Sequence, residues 1–324
     1  MGRRRWQRFG TALGLWSLVA CAGPASPEAD LPVTPFAVVL GTAQDGGLPQ
    51  IGCRGERCSR ARAEPSFRRL VSSLLVVDPR SGKRWLFDAT PDIAEQVELA
   101  ERFAPRPEVS GRPALFDGVF LTHAHLGHYT GLSQLGREAY GSAPTAVHGS
   151  ARMAQFLSTN GPWDLLVQAG HVELRTLRPG ERVALAPDLS VDCFTVPHRD
   201  EYTDTLAFVV TGPARRLLFL PDVDKWTRLE PPIEERLAAV DVALVDGTFF
   251  AEGEIPGRAM AEIPHPFITE SLERFAVLSS EERAKVVFTH LNHTNPAVDP
   301  EGSAAAAIRA AGSRVAREGD VFQL

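Results

Sequence analysis

The sequence predicts an α+β fold of four layers, αββα: two mixed β-sheets face to face, flanked by helices. Three observations carry this. Strand hairpins alternate with helix-type segments twice along the chain. Several strand-like runs end in His or Asp. One such end, Thr122-His123-Ala124-His125-Leu126-Gly127-His128, gathers three imidazoles within six positions.

The elements follow in order. Phe36 to Leu40 is an apolar run of buried-strand type, followed by the Gly-rich loop Gly41 to Gly47. That loop contains neither G-x-G-x-x-G nor a Walker pattern, so it does not read as a phosphate cradle. Leu74–Asp78 and Arg84–Asp88 form a hairpin around Pro79 to Lys83. A helix opens near Asp92, with Thr90 as the expected cap and Pro91 at its first position. After the His loop, Gly131 to Glu138 reads as a helix, Pro144 to His148 as a short strand, and Ala151 to Leu157 as a helix. Leu189 to Val196 alternates as a strand, with Cys193 as a small core residue. Leu206–Val210 and Arg216–Leu220 form a second hairpin; Asp241–Asp246 and Lys285–Thr289 are inner strands, and Ser303 to Ala311 is an Ala-rich helix. His148 reads as structural and His171 as a surface residue.

The chain has 324 residues, 44% hydrophobic and 23% charged. That is an ordinary globular composition, long enough for a large core. The net charge of -6 argues against a nucleic-acid footprint. The first twenty residues read as an export signal: Arg3, Arg4 and Arg5, then a short apolar stretch from Thr11 to Ala20. Leu18-Val19-Ala20-Cys21 resembles a bacterial lipobox, which makes Cys21 the expected lipidation site. Residues 21–35, with Pro24, Pro27, Pro32 and Pro35, read as a tether, and residues 36–324 as a single domain. The expected location is the bacterial cell envelope, at the outer membrane or periplasmic face, with the membrane contacted through the lipid alone. Cys53 and Cys58 leave three readings open: a disulfide, part of a structural metal site, or free thiols.

Neutral imidazoles spaced H-x-H-x-x-H on a strand-end loop suit zinc or iron. His198, Asp222, Asp246 and His290 each follow a strand in the same way, and strand-end residues converge at one edge of a sandwich. The His loop resembles the H-x-H-x-D-H signature of the metallo-β-lactamase superfamily, and the order His loop, His198, Asp222, His290 matches that superfamily's ligand order. The resemblance implies a first metal held by His123, His125 and His198. It implies a second held by His128, Asp222 and His290, with Asp222 bridging. Asp224 rivals Asp222 and His293 rivals His290. The loop Gly41 to Gln50, the Cys pair, Phe87 to Ile93 and Asn292-His293-Thr294-Asn295-Pro296 look like the B-protein family of pyrroloquinoline-quinone biosynthesis. In that family the His loop is degenerate; here it is largely intact. The segment around His265 looks like an insert, with His265 either a pocket wall or a loop lock.

The resemblance implies a hydrolase acting on a small ester, lactone, amide or phosphodiester. Its cofactor would be one or two zinc ions, with iron or manganese as alternatives. Asp222 would orient the nucleophile, and His293, Asp200 or Tyr202 would protonate the leaving group. An iron-dependent oxidoreductase and a non-catalytic binding protein are the rival classes. Gly127 stands where the superfamily has Asp. The second metal therefore loses a carboxylate, which predicts unequal occupancy, with Asp224 or His293 as the first substitutes.

Overall fold

Branched and aromatic residues in alternation fit the pleated, buried surface of a sheet, and fourteen such segments pair into two seven-stranded sheets. A computed structural model describes residues 31–107 and 109–324, together with Gly2. The expected export signal, Cys21 and most of the tether lie outside the described residues. The first sheet contains β1 (Phe36–Gly41), β2 (Ser73–Asp78), β3 (Lys83–Phe87), β4 (Gly118–Phe120), β5 (Thr145–Gly149) and β6 (Val172–Thr176). The second contains β7 (Arg182–Ala186), β8 (Leu189–Val196), β9 (Thr205–Thr211), β10 (Arg216–Leu220), β11 (Val242–Asp246), β12 (Val286–Thr289) and β13 (Arg314–Val315). The last strand, β14 (Val321–Gln323), returns to the first sheet beside β1. Both predicted hairpins form, as β2 with β3 and β9 with β10. Both sheets are mixed: β3 to β6 and β10 to β13 run parallel, and the other pairs antiparallel.

The period-2 alternation of each strand sorts its side chains between two cores. Ala37, Val39, Leu74, Val76, Phe87 and Phe120 meet Val191, Phe208, Phe219 and Leu244 between the sheets. Phe87 stacks on Phe120 at 4.9 Å and meets Phe208 edge-on at 5.4 Å. Val38, Leu40, Leu75, Val77 and Leu86 face a separate core with Ile93, Val97, Met153 and Leu157. Ala207, Leu218, Leu220, Val245 and Phe288 face a third with Ile233, Ile268, Phe275 and Ile308. Those partners come from helices, which gives the four predicted layers.

The helices are α1 (Glu56–Ala63), α2 (Ile93–Glu101), α3 (Leu126–Tyr129), α4 (Ala151–Thr159), α5 (Trp163–Gln168), α6 (Ile233–Ala238), α7 (Ile268–Phe275), α8 (Ser280–Lys285) and α9 (Ser303–Ala310). Three local expectations change. The Cys53–Cys58 stretch, for which no helix was expected, runs into α1, whose buried side is Cys58 and Ala61. The segment after the His loop is a single α-turn, α3, followed by a 3-10 turn over Thr130–Leu135. Helix α2 begins at Ile93, with Asp92 at its cap position and no side-chain cap bond. Thr90 instead accepts from the Asp92 amide at 3.1 Å and donates to Gln96 at 2.8 Å, while Asp92 accepts from the Val71 amide at 2.8 Å. The local polar groups are used to tie α2 to the chain entering β2 rather than to cap the helix.

His148 stacks on Phe120 at 4.4 Å, and burial pulls its pKa down to about 4. His171 donates through Nδ1 to the Ser142 carbonyl at 2.7 Å and is half-buried. Cys193 is buried. Among the described residues no helix is long and apolar enough to cross a membrane.

Phe120 sits where both sheets and the His148 ring meet. Phe120→Ala should destabilise the protein by about 3–5 kcal/mol, read as a lower midpoint in urea unfolding with an unchanged slope. A loss under about 1 kcal/mol would mean that the inter-sheet contact is not the one that holds the sandwich.

Candidate metal centre

The ends of β4, β8, β10, β11 and β12, with the loops after β1 and β3, meet at one edge. Backbone bonds lock them there: Leu291 N–H to Thr42 O at 2.7 Å, Gln44 N–H to Leu291 O at 2.9 Å, and Leu206 N–H to Thr122 O at 2.9 Å. This edge brings together every residue expected in the two metal sets. His123, His125 and His198 offer ring nitrogens within 4.8 Å of one another. His123 Nε2 and His198 Nε2 approach His125 Nδ1 at 2.7 and 3.2 Å. Asp222 lies between this set and the next. Its Oδ2 is 3.0 Å from His128 Nε2, 3.2 Å from His290 Nε2 and 3.6 Å from His123 Nε2, and its Oδ1 is 3.8 Å from His198 Nε2.

In four of the five rings the opposite nitrogen is hydrogen-bonded to a second residue, which fixes where the lone pair points. The Thr122 hydroxyl donates to Asp88 at 3.0 Å and therefore accepts from His123 Nδ1 at 2.9 Å. His128 Nδ1 donates to Asp88 at 2.8 Å, and His125 Nε2 to Glu201 at 3.0 Å. His290 Nδ1 donates to the Thr248 hydroxyl at 3.0 Å, and His198 Nδ1 faces Asp224 at 3.4 Å. Five rings are thus left with lone pairs directed at one small region.

The donors fit a divalent cation. His128 Nε2, His290 Nε2 and Asp45 Oδ1 are buried without a hydrogen-bond partner, although all three lie within 4.8 Å of one another. Converging, unpartnered lone pairs are costly unless a cation accepts them. Imidazole and carboxylate together suit zinc, and also iron or manganese. Burial drives His123 well below the usual imidazole range, and the nearby His128 adds to this, which favours the neutral ring that a metal would require. Burial alone would raise Asp222, but His290, His198 and His128 hold its carboxyl well below the usual range.

Asp45 is the residue that the sequence reading missed. It comes from the Gly-rich loop after β1, and its Oδ1 lies 3.5 Å from His128 Nε2. Burial would raise its pKa, but His128 brings it down to about 2. Gly127 explains its presence. A Cβ on Gly127 would meet Asp45 Oδ1 at 2.1 Å and Asp45 Cα at 2.6 Å. The Asp45 carboxylate therefore fills the space that a side chain at 127 would take. The expectation of a depleted second site loses its basis, and so do its two named substitutes. Asp224 backs His198 and pairs with Arg228. His293 lies instead with Cys53 and Cys58.

His265 is the second addition. Its Nδ1 bonds Asp246 at 2.7 Å and lies 3.5 Å from Asp222 Oδ1. Burial would lower it, but Asp246 and Asp222 raise it to about 9. His265 therefore ties its own segment to the end of β11 and also faces Asp222. Asp200 and Tyr202 are exposed on the loop after His198, and the Tyr202 ring packs on Phe156 at 5.4 Å.

Cys53 and Cys58 are not joined as a disulfide. Their thiols and a His293 nitrogen lie within 4.8 Å of one another, a soft donor set suited to zinc but one donor short of a closed structural site. Of the three readings left open for the pair, the structure shows unjoined thiols with a ring beside them, brought by α1 and the turn after β12.

The β-lactamase superfamily domain matches residues 83–315. Coenzyme PQQ synthesis protein B of Methylorubrum extorquens (strain PA1) is 30% identical, over 89% of this chain and 99% of that protein. Its counterpart in Methylobacterium sp. (strain 4-46) is 29% identical, over 87% and 98%. Among solved structures, zinc-bound PqqB from Methylobacterium extorquens superposes with a TM-score of 0.75 at 25% identity, over 89% of this chain and all of that one. A diphosphatase of the PhnP family superposes with a TM-score of 0.59 at 20% identity, a likeness of fold.

If Asp45 stands in for a carboxylate at 127, Asp45→Ala should weaken the metal nearer His128 by at least about tenfold in a zinc titration. Gly127→Asp alone should weaken it too, through the clash with Asp45. The double variant Asp45→Ala/Gly127→Asp should recover most of the lost affinity. An unchanged titration in Asp45→Ala would remove Asp45 from the donor set.

Proposed function

Because the chain belongs to the β-lactamase superfamily, we propose that it is a metal-dependent hydrolase of a small ester, lactone, amide or phosphodiester. The observation that carries this reading is Asp222, a buried carboxylate shared by two imidazole sets at a strand edge. His123, His125 and His198 would hold one ion, and Asp45, His128 and His290 the other, with Asp222 between them. Bound zinc supplies Lewis acidity and brings the pKa of water toward neutrality. The chain's own groups do the rest. Asp222 accepts a hydrogen bond from the attacking water and orients it. The carboxylates and hydroxyls behind each imidazole keep the rings from turning. His265, held by Asp246 and facing Asp222, replaces His293 as the donor of a proton to the leaving group.

A second reading is an iron-dependent oxidoreductase at the same donors. It is favoured by the relatives' place in coenzyme PQQ synthesis and by a His-and-carboxylate set that also suits iron. Envelope location through a lipid on Cys21 remains part of the proposal, motivated by the sequence Leu18-Val19-Ala20-Cys21.

The deciding experiment combines metal analysis with a screen of ester, lactone, amide and phosphodiester substrates. Hydrolysis of at least one, lost on chelation and restored by zinc, is the expected result. His265→Ala should then lower kcat roughly 10²–10⁴-fold while metal content stays unchanged. Oxygen consumption by an iron-loaded protein without hydrolysis would favour the second reading. For the anchor, Cys21→Ser should abolish lipid labelling and move the protein out of the membrane fraction; unchanged labelling and fractionation would overturn it.

A further inference from the structure

A cavity of about 280 Å³ opens beside the metal edge. It lies between the loop after β1, the turn after β12, α9 and the segment from β13 to β14. Leu291, the residue after His290, lines it, but no histidine of the metal cluster does. Its buried floor includes Leu291, Ala297, Val298, Ala305 and Ala316. Its charged lining is four arginines, Arg69, Arg309, Arg314 and Arg317, against one carboxylate, Asp320.

That carboxylate is already engaged, because Asp320 pairs with Arg314 at 2.5 Å. Arg69 donates to the carbonyls of Ser66 and Arg68 at 2.9 and 2.7 Å, which fixes its position without neutralising its charge. Arg309 spends one donor, on the Pro300 carbonyl at 2.8 Å. The Arg317 side chain has no hydrogen bond or ion pair among the described residues. Arginine rows on a surface are commonly solvated and idle. These four instead surround a cavity with an apolar floor, in a chain whose net charge is -6. Burial lowers the pKa of Arg69, and Arg317 and Arg60 lower it further, although Glu318 and Asp299 oppose them. A bound anion would relieve that crowding.

We infer that this cavity is a binding site for a small organic anion, an apolar body bearing carboxylate or phosphate-type groups that the arginines engage. The apolar floor takes the body of the ligand, and the planar guanidinium groups suit bidentate contact with its oxygens. The site is separate from the metal donors, so binding there does not depend on the hydrolase reading.

The test is calorimetric titration of the full chain with three probes: isophthalate, phenylphosphonate and uncharged isophthalamide. At least one anion should bind saturably and isophthalamide should not; the better anion identifies the head group. Arg309→Ala/Arg317→Ala, at two exposed positions, should keep its melting temperature and bind the anion at least about tenfold more weakly. His123→Ala/His198→Ala, which disables the metal cluster, should bind it as the wild type does. Two outcomes overturn the inference. One is no saturable binding of either anion. The other is binding that survives in the arginine variant and disappears in the histidine variant, which would place the anion at the metals.

Discussion

The rest of this structure depends on keeping one carboxylate charged inside the protein. Asp222 is 3% exposed and has five imidazoles within 3.8 Å: His123, His128, His198, His265 and His290. An isolated buried carboxylate costs several kcal/mol or more, so its surroundings must supply positive charge of fixed geometry. The fold meets this demand with seven chain segments ending at one edge. It also accepts local strain there. Asp88 and His290 both adopt positive φ, 65° and 61°, a conformation that persists only where surrounding contacts impose it. Asp88 receives Thr122 and His128, while the chain beside His290 is tied to Thr42. The strain is therefore found at the residues that aim the donors.

The exchange between positions 127 and 45 follows from the same demand. The second donor set needs a carboxylate near His128, and the position along the chain that provides it is less constrained than the point in space where it must arrive. Glycine at 127 lets the loop after β1 approach, and that loop brings Asp45. The His-rich edge is consequently built from the first strand of the chain as well as from the His loop, and the backbone bonds among Thr42, Gln44 and Leu291 tie that first strand to the chain beside His290. The arginine-lined cavity lies against this same tie, so the segment that positions His290 also forms a wall of a second, chemically different space.

How much of this was legible in the sequence depended on where each residue sits. His123, His125, His128, His198, Asp222 and His290 follow strands with clear apolar patterns, so their convergence could be argued from periodicity and order. Both hairpins and the two-sheet arrangement were legible for the same reason. Asp45 was not, nor was the pairing of His265 with Asp246. Asp45 lies on a glycine-rich loop, where backbone path rather than side-chain period determines direction. His265 lies between prolines in an insert whose anchor, the packing of Phe249, Met260, Ile263 and Phe267, is a tertiary contact. The choice of His290 over His293 rested on order along the chain alone, because two histidines three residues apart after one strand look alike in sequence. The turn after β12 sends His290 toward Asp222 and His293 toward the thiols of Cys53 and Cys58.

Anomalous scattering from crystals grown with zinc tests the central claim most directly. The account predicts two peaks on either side of Asp222, one within ligand distance of His123, His125 and His198, and the other within ligand distance of Asp45, His128 and His290. Peaks confined to the Cys53–Cys58–His293 cluster, or none beside Asp222, would contradict it.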